Sequence, residues 1–261
     1  MLPTAGHRKG SPIRISGESN GWKRFRLDCA ALTAPGIGRN RNEDHVIFAA
    51  PGDPQAEEAG AGYLFAVIDG VSQGGRGRNA ARETGTSLLE ILDDPRRTEL
   101  RPDLMLHRLQ DANDRCHSLI HGMCAATALW VWEEPETASL AVAWAHVGDT
   151  RLYVHDGSRW KLLTRDHARG PILDRAVGQG PGLVVATGQR SLRPGERLAL
   201  LSDGVWKTAP PAGVVPGNPF PGTAEIVRRL VGHARLNGSR DDTSAIVITA
   251  RTLDAGPEPE H

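Results

Sequence analysis

Apolar residues fall in short runs along the chain. The runs Phe25–Leu32, His45–Ala49, Tyr63–Ile68, Ala125–Trp132, Ser139–Val147, Leu152–His155, Leu198–Leu201 and Ala245–Thr249 are of strand length. Most are rich in Val, Ile, Leu or aromatic residues and end in Gly, Asp or Asn, which predicts strands closed by turns. Three other stretches repeat every three or four residues. Residues 78–93 place Ala81, Thr84, Leu88, Ile91 and Leu92 on one side. Residues 103–121 space Met105, Leu109, Ala112, Cys116 and Ile120 the same way. Ile226, Val227, Leu230, Val231 and Ala234 form a third stripe, closed by Gly238. These predict amphipathic helices. The first two sit together between groups of strands, so strand and helix do not alternate as in a parallel sheet. The expected class is α+β, with antiparallel sheets and helices packed on their outer faces.

The ends lack this patterning. Residues 1–22, rich in Gly, Ser, Pro and basic side chains, read as a flexible leader, and residues 253–261 as a flexible tail. Between them, 23–252 reads as a single domain. Composition narrows the function. With 31 basic and 31 acidic residues the formal net charge is zero, which argues against a partner bound by phosphate neutralisation, so no nucleic acid is expected. No apolar stretch reaches the roughly 18 residues of a membrane span, and no signal-peptide core follows Met1. Cys29, Cys116 and Cys124 are too few and too unevenly spaced for a disulfide scaffold. The expectation is a cytoplasmic monomer with no membrane partner.

Acidic residues recur where strands end. Tyr63–Ile68 runs into Asp69-Gly70, Ser139–Val147 into Gly148-Asp149, and Leu198–Leu201 into Ser202-Asp203-Gly204. Asp241-Asp242 stands just before the last strand, and Asn42-Glu43-Asp44 before the second. One such Asp-Gly is ordinarily a turn. Several at matching strand ends would converge and repel, and a desolvated carboxylate cluster needs a counter-charge. A hard divalent cation with oxygen ligands meets that need. Arg39, close to this acidic set, suits a substrate anion such as phosphate, held in bidentate fashion.

These residues carry a family resemblance. Arg39-x-x-Asn42-Glu43-Asp44, Phe65-Ala-Val-Ile-Asp69-Gly70, Val147-Gly148-Asp149-Thr150-Arg151-x-Tyr153, Leu163-Thr164-x-Asp166-His167, Leu200-Leu201-Ser202-Asp203-Gly204-Val205-Trp206 and Ser239-Arg240-Asp241-Asp242-x-Ser244 occur in that order. Together they resemble the metal-dependent protein phosphatases, the PPM or type 2C family, over about Phe25 to Ala250. The resemblance implies a central antiparallel β-sandwich flanked by helices on both outer faces, and hydrolysis of phosphoserine and phosphothreonine by a water bridging two Mn²⁺ or Mg²⁺ ions. It implies that Asp69, Asp203 and Asp241 ligate one ion. Asp69, the Gly70 carbonyl and, through water, Glu43 would hold the other, and Asp149 with Asp203 would offer a third, weaker site. Arg39 would bind the phosphate, and Asp44 would position water. Phosphoproteins would be the substrates, with a serine/threonine kinase or its targets as partners.

The chain departs from the family pattern in three places. Asp69-Gly70-Val71-Ser72-Gln73-Gly74-Gly75-Arg76 is longer by two than the usual motif and ends in Arg where the family has His. Asp242 stands where Asn is common. Few residues separate His167 from Ala176, so the family's flap is expected to be shortened around 168–176. Other readings compete. A phosphatase fold used only to bind or regulate is one. Gly70-Val71-Ser72-Gln73-Gly74 also matches a nucleophile elbow, with Asp203 and His233 as triad partners. The Gly-rich run resembles a P-loop broken at Arg76 and Gly77. His117 and His121 beside Cys116 and Cys124 suggest zinc, against the plainer reading of helix residues. Trp130, Trp132 and Trp144 read as core rather than as a stacking platform for bases.

Overall fold

The structure is a computed structural model and describes residues 13–17, 22, 24–99, 101–134, 139–215 and 221–253. In chain order its first half holds β1 (Ile13–Gly17), β2 (Phe25–Ala34), β3 (His45–Ala49), α1 (Pro54–Ala59), β4 (Tyr63–Gly70), α2 (Gly77–Leu89) and α3 (Arg101–Arg115). There follow β5 (Cys124–Glu134), β6 (Ser139–Val147), β7 (Arg151–His155), β8 (Trp160–Leu162), β9 (Ala168–Arg169), β10 (Ile172–Leu173) and β11 (Ala186–Leu192). The chain closes with β12 (Arg197–Leu201), α4 (Asp203–Trp206), α5 (Pro211–Val214), α6 (Thr223–Leu236) and β13 (Thr243–Thr252).

Two antiparallel sheets carry the fold. One runs β1-β2-β13-β12-β7-β8 and the other β11-β6-β5-β4-β3. The period-two pattern of the first sheet sorts its side chains cleanly. Leu27, Cys29, Leu198, Leu200, Ile246 and Ile248 belong to the main core. Their alternates Ala30, Ala199, Leu201, Ala245 and Val247 pack with Ile226, Val227, Leu230 and Val231 of α6. Both faces of this sheet are therefore buried, as a sandwich covered by a helix requires. The second sheet is covered by α2 and α3, whose Ala80, Ala81, Leu88, Met105 and Leu109 join the main core. The architecture is α+β with helices on both outer faces, as the sequence pattern and the resemblance imply.

Differences from the sequence reading are local. Five residues of the stretch read as a leader pair instead as edge strand β1, from Ile13 opposite Ala31 to Gly17 opposite Leu27. The rest of that stretch, apart from Trp22, and residues 254–261 of the tail lie outside the described residues. Residues 168–173, where the flap reads as shortened, form the β9–β10 hairpin. Trp130 is fully buried, and Trp144 packs so closely on Gly188 of β11 that a Cβ there would lie 2.2 Å from the ring. The tryptophans are core residues. Among the described residues no helix is long and apolar enough to cross a membrane.

Candidate functional site

Strand register decides where the acidic residues meet. In the first sheet Ala34 pairs with Thr243, and Leu201 with both Ala245 and Arg151. In the second, Ile68 pairs with His45 and Ala126, and Val147 with Ala126. The end of β2, the start of β13, the end of β12 and the start of β7 thus share one end of their sheet. The start of β3 and the ends of β4 and β6 share one end of the other. Arg39, Glu43, Asp44, Asp69, Gly70, Asp149, Asp203 and Asp241 all stand on these ends or in the loops leaving them.

The convergence has an electrostatic consequence. Burial pushes the Asp69 carboxyl well above its ordinary range, and the charges of Asp44, Asp203, Asp241 and Asp149 add to the rise. Burial lifts Asp44 to about 8, with Asp242 and Asp203 adding to it and the Ser244 hydroxyl opposing it. Asp149 is raised to about 6 by burial and by Asp203, against the pull of Lys207. Asp241 is also raised, by burial and Asp203. Five carboxylates share one poorly solvated space.

Two cations face them. Arg39 Nη2 lies 2.7 Å from Asp241 Oδ1 and its Nη1 3.2 Å from Asp242 Oδ2, while its Nε donates to the Arg240 carbonyl at 2.9 Å. Lys207 Nζ lies 2.6 Å from Asp203 Oδ2 and 3.6 Å from Asp149 Oδ2. Among the described residues no three acidic, His or Cys side chains stand together at metal-ligand spacing. Glu43, Asp241 and Asp242 pair with Arg39, and Asp149 and Asp203 with Lys207, instead. Two carboxylate oxygens are left over, Asp44 Oδ1 and Asp203 Oδ1. Asp203 Oδ1 is buried with no hydrogen-bond partner, which is costly for a carboxylate and suits a hard cation. The donor set therefore fits a divalent ion in both charge and oxygen chemistry.

Backbone contacts fix the frame. A Cβ on Gly70 would lie 2.5 Å from the Gly77 carbonyl carbon and 2.7 Å from the Glu43 carbonyl oxygen. Only glycine lets the end of β4 pass between the α2 start and the Glu43 loop. On Gly204 a Cβ would lie 2.1 Å from the Asp242 carbonyl oxygen, so glycine also lets the Asp203 turn close against the β13 entry.

No family model matches this chain. A curated relative, Protein phosphatase 2C 70 of Arabidopsis thaliana, is 28% identical over 135 residues, 49% of this chain and 23% of that protein's length. The chain thus matches less than a quarter of that relative. The PPM Ser-Thr phosphatase MsPP of Mycobacterium smegmatis, solved with cacodylate, is 28% identical over 85% of this chain and 97% of its own, with a TM-score of 0.67. The catalytic domain of the serine/threonine phosphatase PstP, solved with two manganese ions, covers 87% of this chain and 99% of its own at 21% identity and a TM-score of 0.70. The fold is that of the PPM phosphatases.

Against the PPM pattern, the departures have physical explanations. Arg76, at the position of the missing His, donates to the Ile120 carbonyl at 3.1 Å, so its guanidinium is engaged with the turn after α3. Ser72, from the lengthened motif, sits between Arg39 and Glu43. It accepts from Arg39 Nη1 at 3.1 Å and donates to Glu43 Oε2 at 2.5 Å. The triad reading fails here, because His233 is exposed on α6 and bonded to the Arg229 carbonyl. The zinc reading fails too. Cys116 and Cys124 are buried against the Thr84 hydroxyl, and burial holds both thiols protonated.

Asp242 is more than a mild exchange for Asn. Its Oδ1 accepts from the Gly36 N–H at 2.8 Å, and its Oδ2 accepts from the Glu43 N–H at 2.7 Å and from Arg39. An amide offers one acceptor oxygen, so it cannot serve all three donors. Asp242→Ala is expected to lower stability by about 3 kcal/mol, since two backbone donors lose their acceptor. Urea unfolding measures this, and a midpoint equal to that of the unmutated chain would contradict it.

Proposed function

We propose that this chain is a metal-dependent serine/threonine phosphoprotein phosphatase acting at the acidic end of its sandwich. The observation that carries this reading is one guanidinium, Arg39, set beside a cluster of carboxylates that five separate segments of the chain bring to one end of the sandwich. In this reading Asp69, Asp203 and Asp241 hold one divalent cation, and Asp69, the Gly70 carbonyl and, through water, Glu43 hold a second. When bound, such a pair of ions would supply a water acidic enough to attack phosphorus near neutral pH, and positive charge facing the phosphoryl group.

The chain's own residues do the rest. The Arg39 guanidinium offers a planar pair of donors matched to two phosphate oxygens, and Asp242 with the Arg240 carbonyl fixes the direction in which it points. Asp44 carries a buried carboxyl anchored by the Ser244 hydroxyl at 2.6 Å, and serves to orient water. Ser72 bridges Arg39 and Glu43 until a phosphate takes its place. A cytoplasmic location, a monomeric state and a serine/threonine kinase whose products the chain reverses belong to the same proposal.

The direct test is release of inorganic phosphate from a phosphothreonyl peptide with Mn²⁺, and its loss in EDTA. Arg39→Ala is expected to raise KM by about tenfold or more, the scale of a lost charge-assisted bidentate contact, with Mn²⁺ stoichiometry unchanged. Mn²⁺ bound without turnover would favour a regulatory, non-catalytic phosphatase fold. Labelling of Ser72 by a fluorophosphonate would favour the esterase reading.

A further inference from the structure

Lys207 stands where the family resemblance implies a third cation. It lies one residue beyond α4 and four residues after Asp203, a spacing that puts both side chains on one face of the turn. Its ammonium touches Asp203 Oδ2 at 2.6 Å and Asp149 Oδ2 at 3.6 Å, the two carboxylates that the resemblance assigns to a third, weaker metal. Lys207 itself is exposed, but the turn that carries it is pinned. The Lys207 N–H bonds to the Asp203 carbonyl at 3.0 Å. Its neighbour Trp206 donates its indole N–H to the Asp149 carbonyl at 2.8 Å. The Trp206 ring is capped in turn by the Arg151 guanidinium 3.3 Å from its centre, and Arg151 is locked onto Asp166 by two hydrogen bonds at 2.9 and 2.8 Å. The turn carrying Lys207 and the loop carrying Asp149 are thus clamped together.

Asp203 divides its oxygens accordingly. Oδ2 goes to Lys207, and Oδ1 is left buried without a partner. A divalent ion needs about six oxygen ligands, whereas an ammonium needs only acceptors for its three protons. With Lys207 seated, the Asp149 side of the cluster already has a positive charge. A further dication there would be repelled by that charge and would lack the Asp203 oxygen.

We propose that Lys207 is a built-in replacement for the third metal, so that this chain takes two divalent cations and Asp149 serves as a partner of Lys207 rather than as a metal ligand. The inference rests on the phosphatase reading for its first two ions, but not on turnover. Equilibrium dialysis of the full chain against Mn²⁺ tests it, with protein folding checked by circular dichroism. The unmutated chain is expected to bind two ions. Lys207→Met, which keeps the aliphatic stem without the charge, is expected to bind three. Adding Asp149→Asn to that variant should return the count to two. Three ions on the unmutated chain, or two on Lys207→Met, would overturn the proposal, and no bound Mn²⁺ would overturn both it and the phosphatase reading. Counts of two and three with no phosphopeptide hydrolysis by either protein would uphold the role of Lys207 and sink the phosphatase reading alone.

Discussion

Asp69→Asn is expected to reduce kcat/KM for a phosphothreonyl peptide by about a thousandfold or more, yet raise the Tm of the EDTA-treated chain by several degrees. The two effects share one cause. Asp69 lies near the end of β4, where the six residues before it are all buried, and it feels Asp44, Asp203, Asp241 and Asp149 at once. In the phosphatase reading it contributes to both cation positions, so its loss removes several kcal/mol of charge stabilisation from the transition state. Without metal the same carboxylate carries a burial penalty that an uncharged amide of nearly equal shape does not. The gain in Tm should shrink as pH falls and Asp69 of the unmutated chain takes up its own proton. Thermal unfolding in EDTA and steady-state phosphate release measure the two halves. A destabilised Asp69→Asn, or one that keeps its activity, would contradict the electrostatic account of the cluster.

The pH dependence of the metal-free chain is the second large effect. Asp44 titrates at about 8 in the folded state, and an unfolded Asp at about 3.9. Between those values the folded chain holds a proton that the unfolded chain has released, so stability is present below the unfolded value and is lost as pH rises toward the folded one. Asp69 and Asp241 act in the same sense, and Asp149 does so up to about 6. Buried histidines oppose them at lower pH. His146 is pushed down to about 4 by burial and by His167, so stability gained from it rises with pH until unfolded histidine is neutral, near 6.5. Above that value only the carboxylates remain. In EDTA, Tm should therefore fall by about 5 °C between pH 6.5 and 8. Saturating Mn²⁺ should weaken the fall, because bound dications keep their carboxylate ligands deprotonated and their charge draws the neighbouring Asp44 carboxyl down as well. Asp44→Asn should flatten the slope without metal. A Tm that is level or rising across that window in EDTA would contradict the shared burial of these groups.

Much of the fold was legible because its determinants are local. The runs that became β2, β3, β4, β5, β6, β7, β12 and β13 are buried on at least one face, and burial writes itself into the sequence as apolar residues. The elements that escaped notice are short or lie at edges. Strand β11, Ala186–Leu192, sits at the rim of its sheet and alternates half-exposed polar residues, so its pairing with β6 leaves no apolar signature. The four residues of α4 begin at Asp203 itself, where the sequence shows only a strand-ending Asp-Gly.

The site divides along the same line. Asp69, Asp149, Asp203 and Asp241 could be singled out because each stands at a strand end, and antiparallel pairing carries such ends to a common edge. The roles of Asp242 and Ser72 could not. Asp242 reaches Gly36 and Glu43 across about 200 residues of chain, a relation that no periodicity records. Lys207 did leave a trace, its four-residue offset from Asp203, but its meaning depends on the position of Asp149, which only the folded chain supplies.

The central claim is that hydrolysis depends on divalent cations held by this carboxylate cluster. The measurement that tests it most directly is phosphate release from a phosphothreonyl peptide by EDTA-stripped protein, followed as Mn²⁺ is added back, with Asp203→Ala run in parallel. The account predicts no release without metal, a saturable return of activity with Mn²⁺, and no return for Asp203→Ala. Full activity in EDTA, or equal recovery by Asp203→Ala, would contradict it.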